Sequence, residues 1–318
     1  MELNHFRLMK PAIAKPKIII ICGPTGIGKT TVAIDLAQHL GGQIIGADSM
    51  QIYKYMDIGT AKPTAEERAR VVHHMVDFVQ PDKAFDAAQY AARARAKIIE
   101  LDQQHITPIV AGGTGLYIKA LLHGLFDEKV SDPEIRDRLK SEAGDHGIRS
   151  LYERLSRLDS ETANRLHPND TYRILRALEV IEATGQAISK HHQNHGFFDR
   201  PFESLKIGLN LDRALLYERI NRRVDTMIST GFLDEVKGLL ARGYSANLKP
   251  MQSIGYRHMV DYIEGRLSWA ECVRTMKRDH RRYAKRQLTW FGAEPEIIWK
   301  EPQQVEEVKL LGENFMKT

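Results

Sequence analysis

The sequence predicts an α/β protein with a doubly wound parallel sheet and an all-helical insertion. Apolar runs typical of buried strands alternate with helical patterns in the first part of the chain. From residue 131 to about residue 187 the pattern becomes charged and helical throughout. Hydrophobic residues make up 42% of the chain and charged residues 27%, which supplies a core and excludes disorder as the main state.

The first predicted element is a strand, and a turn and a helix follow it. Lys17–Cys22 is an uninterrupted, largely β-branched run, which is typical of a strand buried on both faces of a parallel sheet. Thr31–Leu40 then carries apolar residues at helical spacing and ends at Gly41, a residue type that commonly stops a helix. This strand, turn and helix begin the doubly wound core.

The later elements continue the alternation. Strands are predicted at Gln43–Asp48, Thr107–Ala111 and Leu205–Leu211, a helix at Phe85–Gln104, and helices through most of 213–290. Residues 294–318 are weakly patterned. We therefore expect three regions: a flexible leader over residues 1–16, a core formed by residues 17–130 and 200–318, and the helical insertion over residues 131–199.

The composition also limits where the chain works. Its longest aliphatic run, Ile18–Ile21, is far shorter than the ~20 residues that a membrane-spanning helix needs, and the N-terminus lacks the pattern of a secretory signal. We expect a cytoplasmic protein without membrane contact, in which Cys22 and Cys272 are reduced and structural. Two groups of histidines, His73-His74 and His191-His192 with His195, lack a cysteine or paired carboxylate to complete a metal site, so we interpret them as solvated.

A glycine-rich turn follows the first strand. Residues 23–30 read GPTGIGKT and fit the pattern G-x-x-x-x-G-K-[ST], in which successive backbone N–H groups face one phosphate cluster. Lys29 is expected on the distal phosphate oxygens and Thr30 on Mg²⁺. The predicted diphosphate-binding residues are Gly23, Pro24, Thr25, Gly26, Ile27, Gly28, Lys29 and Thr30. The loop predicts a P-loop core, and it leaves ATP, GTP and a non-nucleotide diphosphate open as ligands.

A carboxylate, Asp48, follows the second predicted strand. A nucleotide hydrolase usually places a second carboxylate on the Mg²⁺ side after a strongly apolar strand, but this strand is short and Gly46 interrupts it. From the residues alone, Asp48 is a metal ligand, a base, or a residue that stabilises a turn.

Longer blocks of sequence carry a resemblance to a known family. The blocks, in order, are Asp48–Tyr53, Asp57–Pro63, His73-His74, Gly112–Tyr117, Ser131–Pro133, His167–Asp170, Arg173–Glu179, Ser253–Arg257 and Lys285–Trp290. In register from about Lys17 to Trp290, they closely resemble the tRNA dimethylallyltransferases, also called tRNA isopentenyltransferases. One departure is Gly26-Ile27, where the family often has Ala-Ser, so ligand contact there depends on backbone N–H groups.

The resemblance implies an activity and a set of catalytic residues. Enzymes of the family transfer a dimethylallyl group from its diphosphate to the exocyclic amine of the adenine on the 3′ side of the anticodon, and release diphosphate. On this interpretation Asp48 is the general base, Thr114 contacts the diphosphate and its bridging oxygen, and Arg223 pairs with the diphosphate, with Mg²⁺ as cofactor. Simpler alternatives stay open: Thr114 as the cap of a turn, and Arg223 as a solvated helix position.

Several regions are expected to bind tRNA. Residues 274–286 hold seven cations against one anion, more than the excess of +5 over the whole chain, and place most of them on one helical face. The predicted tRNA-binding residues, most of them implied by the resemblance, are Asp48, Ser49, Met50, Gln51, Arg136, Tyr172, Arg173, Ile174, Leu175, Arg176, Gln252, Ser253, Ile254, Gly255, Tyr256, Arg257, Arg278, Arg281, Arg282, Lys285, Arg286 and Gln287. For the basic run, a merely soluble surface is the alternative. We expect a monomer that binds the anticodon stem loop with the target adenine extruded from its stack.

Two other classes of protein remain compatible with the phosphate loop. One is a P-loop kinase of a nucleoside or small molecule, in which ATP occupies the same loop. The other is a non-catalytic RNA-binding P-loop protein. Transfer of label from dimethylallyl diphosphate into tRNA separates both from a prenyl transferase.

Overall fold

The computed structural model describes residues 15–124, 132–195 and 200–318, with the backbone alone described at 192–195. Of the predicted leader only residues 15 and 16 fall inside these ranges, and Ser131 lies outside them. The chain divides into two compact units, one comprising Met1–Leu122 with Pro201–Thr318 and the other His123–Arg200. We call them the core unit and the helical unit.

The described part of the core unit contains a six-stranded, fully parallel sheet. Its strands are β1 Lys17–Cys22, β2 Gln43–Gly46, β3 His73–His74, β4 Pro108–Gly112, β5 Glu203–Leu209 and β6 Ile298–Lys300. The order is β3-β2-β4-β1-β5-β6, so β1 lies between β4 and β5. Its four isoleucines, Ile18–Ile21, are fully buried, as expected of a strand covered on both faces. Parallel pairing brings the carboxyl ends of β1, β2 and β4 to one edge of the sheet.

The helices of both units follow the order of the chain. They are α1 Lys29–Leu40, α2 Ala65–Arg70, α3 Ala87–Gln103, α4 Gly115–His123, α5 Pro133–Leu158, α6 Ser160–Asn164, α7 Thr171–Thr184, α8 Ile188–His195, α9 Arg213–Ser229, α10 Phe232–Ala241, α11 Tyr256–Ile263, α12 Trp269–Gly292 and α13 Val305–Lys317. The core cluster of the core unit joins Ile19 and Ile21 of β1 to Ile34 and Leu36 of α1. No helix of the described residues is long and apolar enough to span a membrane.

The helical unit has a hydrophobic core of its own. Leu139 and Leu155 of α5 cluster with Ile174 and Leu178 of α7, and each is fully buried. Gly147 has φ 76°, which breaks α5 into two helical segments. This helical content agrees with the all-helical insertion predicted from the sequence.

The structure corrects the prediction at three places. The second strand ends at Gly46, so Asp48 lies in the loop after β2. The interpretation of His73-His74 as solvated is wrong, because the pair forms β3, half-buried, and burial lowers the pKa of both imidazoles. The weakly patterned end forms β6 and α13. Cys22 and Cys272 are free and buried.

Candidate active site

Three strands of the sheet end at the same cavity. The phosphate loop follows β1, Asp48 follows β2, and Gly112 ends β4. The cavity has a volume of about 1240 Å³ and lies in the core unit. Arg223 of α9 and Tyr283 of α12 also line it. The carboxyl edge of an open parallel sheet is where ligands of such folds bind.

Glycines set the path of the phosphate loop. Gly23, Gly26 and Gly28 have φ values of 142°, 78° and 104°, a region that L side chains rarely adopt. A Cβ on Gly23 would lie 2.6 Å from the carbonyl oxygen of Leu209, so close approach to β5 also excludes a side chain there. Gly28 is the N-cap of α1 and supplies no side-chain cap, which leaves the first N–H groups of the helix available to an anion.

The eight predicted residues of this loop divide into two groups. Those that line the cavity are Thr25, Gly26, Gly28, Lys29 and Thr30. Those buried behind it are Gly23, Pro24 and Ile27. The second group shapes the backbone, and the first offers N–H groups, two hydroxyls and an ammonium to a ligand.

Two cations of the cavity wall are poorly compensated. Lys29 Nζ donates to the carbonyl oxygen of Pro24 at 2.8 Å. Burial lowers the pKa of Lys29 to about 8, Asp48 opposes this shift, and Arg223 adds to it. Arg223 donates from Nη2 to the carbonyl oxygen of Thr60 at 3.3 Å, while its buried Nε has no partner among the described residues. Burial also lowers the pKa of Arg223, so an anion between the two cations would relieve both.

The cavity also offers oxygen ligands that suit Mg²⁺. Among the described residues, no group of three or more histidine, cysteine, aspartate or glutamate side chains could hold a metal alone. Mg²⁺ is usually held by one or two protein oxygens, with phosphate oxygens and water completing its shell. Thr30 lines the cavity and would offer such an oxygen ligand from its hydroxyl.

Asp48 stabilises a turn and also faces the cavity. Its Oδ1 accepts from the backbone N–H groups of Met50 at 2.8 Å and Gln51 at 3.3 Å. The carboxylate also lines the cavity that Lys29 and Arg223 share. The turn function weighed from the sequence is therefore observed, and it leaves the carboxylate on the cavity wall.

Thr114 joins the loop after β4 to the loop after β2. Its Oγ1 accepts from the N–H of Ser49 at 3.0 Å, and its own N–H donates to the carbonyl oxygen of Ala47 at 3.1 Å. Its carbonyl oxygen accepts from the N–H of Tyr117 at 2.9 Å in the first turn of α4, while its side chain bonds Ser49 and not an N–H of that helix. The Thr114 side chain shares a hydrogen bond with Tyr283, whose pKa is raised by burial and by Asp48.

Gln287 and Tyr283 connect α12 to the phosphate loop and its neighbour. Gln287 is buried, accepts from the N–H of Thr25 at 2.8 Å, and donates to the carbonyl oxygen of Gly113 at 2.8 Å. The sequence predicts tRNA contact from Gln287, whereas the structure places it between two backbone segments of the core unit. Tyr283 is a site residue that the sequence did not indicate, although its spacing of four residues from Gln287 puts both on one face of a helix.

Glu235 is a second residue that the sequence did not single out. Its carboxylate accepts from the N–H groups of Asp57 at 2.8 Å, Ile58 at 2.6 Å and Gly59 at 3.1 Å. The Tyr256 hydroxyl donates to the same carboxylate at 2.6 Å. Asp57 and Ile58 line the cavity, so Glu235 fixes part of its wall from α10.

The predicted tRNA-binding residues of the helical unit differ in exposure. Tyr172 is 69% exposed, and the guanidinium of Arg136 lies 5.6 Å from its ring centroid. Arg173 is also exposed, and Arg176 pairs with the buried Glu179 at 3.1 Å. Ile174 and Leu175 belong to the hydrophobic core. Contact with RNA would therefore come from Tyr172 and the arginines, with the two apolar residues holding α7 in place.

The predicted tRNA-binding residues of the core unit fall into two sets. Three of them are buried, namely Gly255, Tyr256 and Gln287. The residues with exposed surface are Ser49, Met50, Gln252, Ser253, Ile254, Arg257, Arg278, Arg281, Arg282, Lys285 and Arg286. Gln51 donates from Nε2 to the carbonyl oxygen of Ala61 at 2.9 Å, which fixes it against the cavity wall. Arg281 donates to Asn221 Oδ1 at 2.6 Å.

The glycine loop joins a central strand to a helix N-terminus, beside poorly compensated cations and a carboxylate, and together these features define a P-loop protein with an anion-binding cavity. A family model described as IPP transferase matches residues 51–294, and the chain belongs to this family.

The relatives agree over nearly the whole chain. A tRNA dimethylallyltransferase of Desulfosudis oleivorans is 55% identical over 95% of this chain and 97% of its own. A tRNA dimethylallyltransferase 2 of Syntrophus aciditrophicus is 50% identical over 97% of this chain and 99% of its own. The crystal structure of a tRNA isopentenylpyrophosphate transferase from Bacillus halodurans has a TM-score of 0.71 at 37% identity, covering 95% of this chain and 97% of that one. A eukaryotic dimethylallyltransferase acting on tRNA has a TM-score of 0.76 at 28% identity, covering 91% of this chain and 75% of that one.

Proposed function

We propose that this protein transfers a dimethylallyl group from dimethylallyl diphosphate to the exocyclic 6-amino group of the adenine on the 3′ side of the anticodon in tRNA. The observation that carries the proposal is the single cavity that holds Lys29 and Arg223 beside Asp48. A diphosphate leaving group needs fixed positive charge, and an amine that is alkylated must lose a proton to a base. The dimethylallyl group and the tRNA acceptor follow from the names of the relatives, and the target adenine is what the resemblance of the sequence to the family implies.

The chain's own residues account for both halves of the reaction. The amine nitrogen attacks C1 of the dimethylallyl group, the C1–O bond breaks, and its electron pair leaves with the diphosphate. Lys29, Arg223 and the N–H groups of the phosphate loop stabilise the charge that develops on that diphosphate. The amine proton passes to a carboxylate oxygen of Asp48.

Three further residues are proposed to support the site. Thr30 would hold Mg²⁺, which supplies positive charge to the diphosphate oxygens when it is bound. Thr114 and Tyr283 fix the loop that carries Asp48, through the hydrogen bonds to Ser49 and between their side chains. Thr114 is also proposed to contact the bridging oxygen of the donor.

The test uses purified protein, Mg²⁺, dimethylallyl diphosphate labelled in its prenyl group, and an unmodified tRNA transcript. Label is expected in the RNA, and a matched transcript with guanine in place of the target adenine is expected to remain unlabelled. Phosphorylation of a small molecule by ATP without prenyl transfer would instead identify a P-loop kinase. Binding of tRNA with neither reaction would identify a non-catalytic RNA-binding protein.

A further inference from the structure

A buried carboxylate lies under a group of exposed arginines where α11 and α12 pack together. The Asp279 side chain is 11% exposed, whereas those of Arg257 and Arg278 are each 41% exposed and that of Arg282 is 64% exposed. One carboxylate thus faces three guanidinium groups from two helices. We call these four residues the Asp279 cluster.

The hydrogen bonds of the cluster use both oxygens of Asp279. Arg257 donates from Nη2 to Oδ2 at 2.5 Å, and Arg278 donates from Nε to Oδ1 at 2.9 Å. Arg282 Nη1 lies 3.8 Å from Oδ1. A guanidinium has five N–H groups, so Arg257 and Arg278 each keep donors for a second anionic acceptor.

A buried histidine completes the support of Asp279. His258 Nδ1 accepts from the N–H of Gly255 at 3.3 Å, which leaves the proton of the neutral ring on Nε2. His258 Nε2 lies 3.3 Å from Asp279 Oδ2 and can donate to it. Burial and Arg257 lower the pKa of His258, so the ring acts as a neutral donor. The buried His258 therefore contacts the Asp279 carboxylate from the protein interior, and the arginines contact it from the exposed side.

We infer that Asp279 is a positioning residue, which holds Arg257 and Arg278 in a fixed arrangement for phosphate groups of the RNA acceptor. This inference rests on the proposed function and assigns a new residue to it. Two arginines held by one carboxylate lose little side-chain freedom when a phosphate binds, which favours affinity. The three arginines exceed the one carboxylate in charge, so the cluster stays cationic and attracts a polyanion.

For Asp279→Asn, an effect of charge alone and an effect of positioning predict opposite changes in tRNA affinity. The substitution removes a negative charge from a cationic surface, so charge alone would tighten tRNA binding and steepen its salt dependence. Positioning predicts that tRNA binding weakens by about tenfold, because freed arginines must be ordered again on binding. The salt dependence is expected to become flatter, because a freed arginine that no longer reaches its phosphate releases fewer counterions. The KM for dimethylallyl diphosphate is expected to stay within about twofold, since the cavity residues are unchanged.

Asp225→Asn is the matched control. Asp225 is 57% exposed on α9 and pairs with Lys277 of α12 at 2.6 Å, outside the Asp279 cluster. Its loss changes the net charge by the same amount and is expected to leave tRNA binding unchanged or slightly tighter. Thermal unfolding of each variant checks that the fold persists.

Asp279→Glu keeps the charge and moves the carboxylate by one methylene, so a loss of tRNA affinity in this variant is due to geometry. The effect of Asp279→Asn is also expected to vanish when Arg257 and Arg278 are both replaced by alanine, because the carboxylate acts through them. If Asp279→Asn binds tRNA as tightly as Asp225→Asn while the wild type prenylates tRNA normally, this inference alone is wrong. If the wild type neither binds nor prenylates tRNA, the proposed function fails together with it.

Discussion

At the scale of single residues, Asp48 links the turn after β2 to the chemistry of the cavity. The amide introduced by Asp48→Asn would keep an oxygen for the N–H groups of Met50 and Gln51, so the substitution removes the charge and preserves the turn. We expect turnover to fall by ~10² to 10⁴, the usual contribution of a general base, with tRNA affinity within a few fold of wild type. Single-turnover kinetics and a tRNA binding assay measure the two quantities. Unchanged turnover would remove Asp48 from the mechanism.

Lys29 makes donor binding depend on pH in a defined direction. Because its pKa is lowered to about 8, the ammonium is charged below that pH and neutral above it. A diphosphate binds the charged form, so the Kd of dimethylallyl diphosphate should be flat between about pH 7 and pH 8 and rise by up to tenfold per pH unit above about pH 8. The last ionisation of a phosphate group lies near pH 6, so the donor is fully ionised above about pH 7 and adds no inflection near pH 8.

The assignment of that inflection to Lys29 can be checked with one variant. Lys29→Ala should bind the donor more weakly at every pH and lose the inflection near pH 8. Cys22, in the preceding strand, has its pKa raised to about 12 by burial and does not titrate in this range. A wild-type inflection that persists in Lys29→Ala would contradict the lowered pKa.

At the scale of elements, α12 holds the phosphate loop through Gln287. Gln287→Ala leaves the N–H of Thr25 and the carbonyl oxygen of Gly113 without their partner. A buried polar group without a partner costs about 1–3 kcal/mol, so we expect a lower free energy of unfolding and a raised KM for the donor. Denaturant unfolding and steady-state kinetics measure these changes. Thr289→Ala, at an exposed position of the same helix, is the control and should leave the KM unchanged and the free energy of unfolding unchanged or slightly higher, because alanine is the better helix former.

Backbone approach between strand ends predicts a second effect at this scale. A Cβ on Gly112 at the end of β4 would lie 2.1 Å from the carbonyl oxygen of Ala47, and neither backbone can move without disturbing the sheet. Gly112→Ala is therefore expected to destabilise the fold strongly. Gly144→Ala, in α5 with no atom within 4 Å of the new Cβ, should be neutral or stabilise by about 0.5–1 kcal/mol. Equal unfolding midpoints of the two variants would contradict the clash.

Local patterns made some elements predictable and left others hidden. β1 and the phosphate loop could be predicted because a buried parallel strand and a glycine turn each have a signature within a few residues. β3 is too short to show a period. In α13 the apolar pattern is interrupted by Gly312, which allows close packing on Leu36 and Leu40 of α1. That contact joins distant parts of the chain, so no local pattern indicates it.

The same limit applies to the site. Short motifs in the sequence predict that Lys29, Thr30 and Asp48 belong to the site, and all three line the cavity. Glu235 accepts from backbone N–H groups that lie 176 to 178 residues away in the sequence. Gln287 bonds backbone groups that lie 174 and 262 residues away. A glutamate or glutamine in a helix gives no sign of such a distant partner.

At the scale of the whole molecule, the outer stripe of α12 is the element best placed to meet a polyanion. We define this stripe as Arg274, Arg278, Arg282 and Lys285, which follow at helical spacing of four, four and three and all have exposed surface. Arg281, included in the sequence prediction, is better left in place, because it bonds Asn221 and lies 5.9 Å from the Tyr217 ring centroid. Charge removal limited to the stripe therefore leaves the packing of α12 on α9 intact.

Neutralising the four residues of the stripe together should weaken tRNA binding strongly and leave the Kd of dimethylallyl diphosphate near that of wild type. Each phosphate contact that is lost should reduce the slope of log K against log salt concentration by about 0.7 to 0.9. A control with one charge fewer neutralises Lys300, Lys309 and Lys317, whose ammonium groups pair with Glu307, Glu306 and Glu313 on α13. Because α13 packs on α1 and these cations lie outside the stripe, this control should keep the wild-type slope. An unchanged slope in the stripe variant, or prenylation of free AMP by the wild type as efficient as that of tRNA, would mean that the stripe is only a soluble surface.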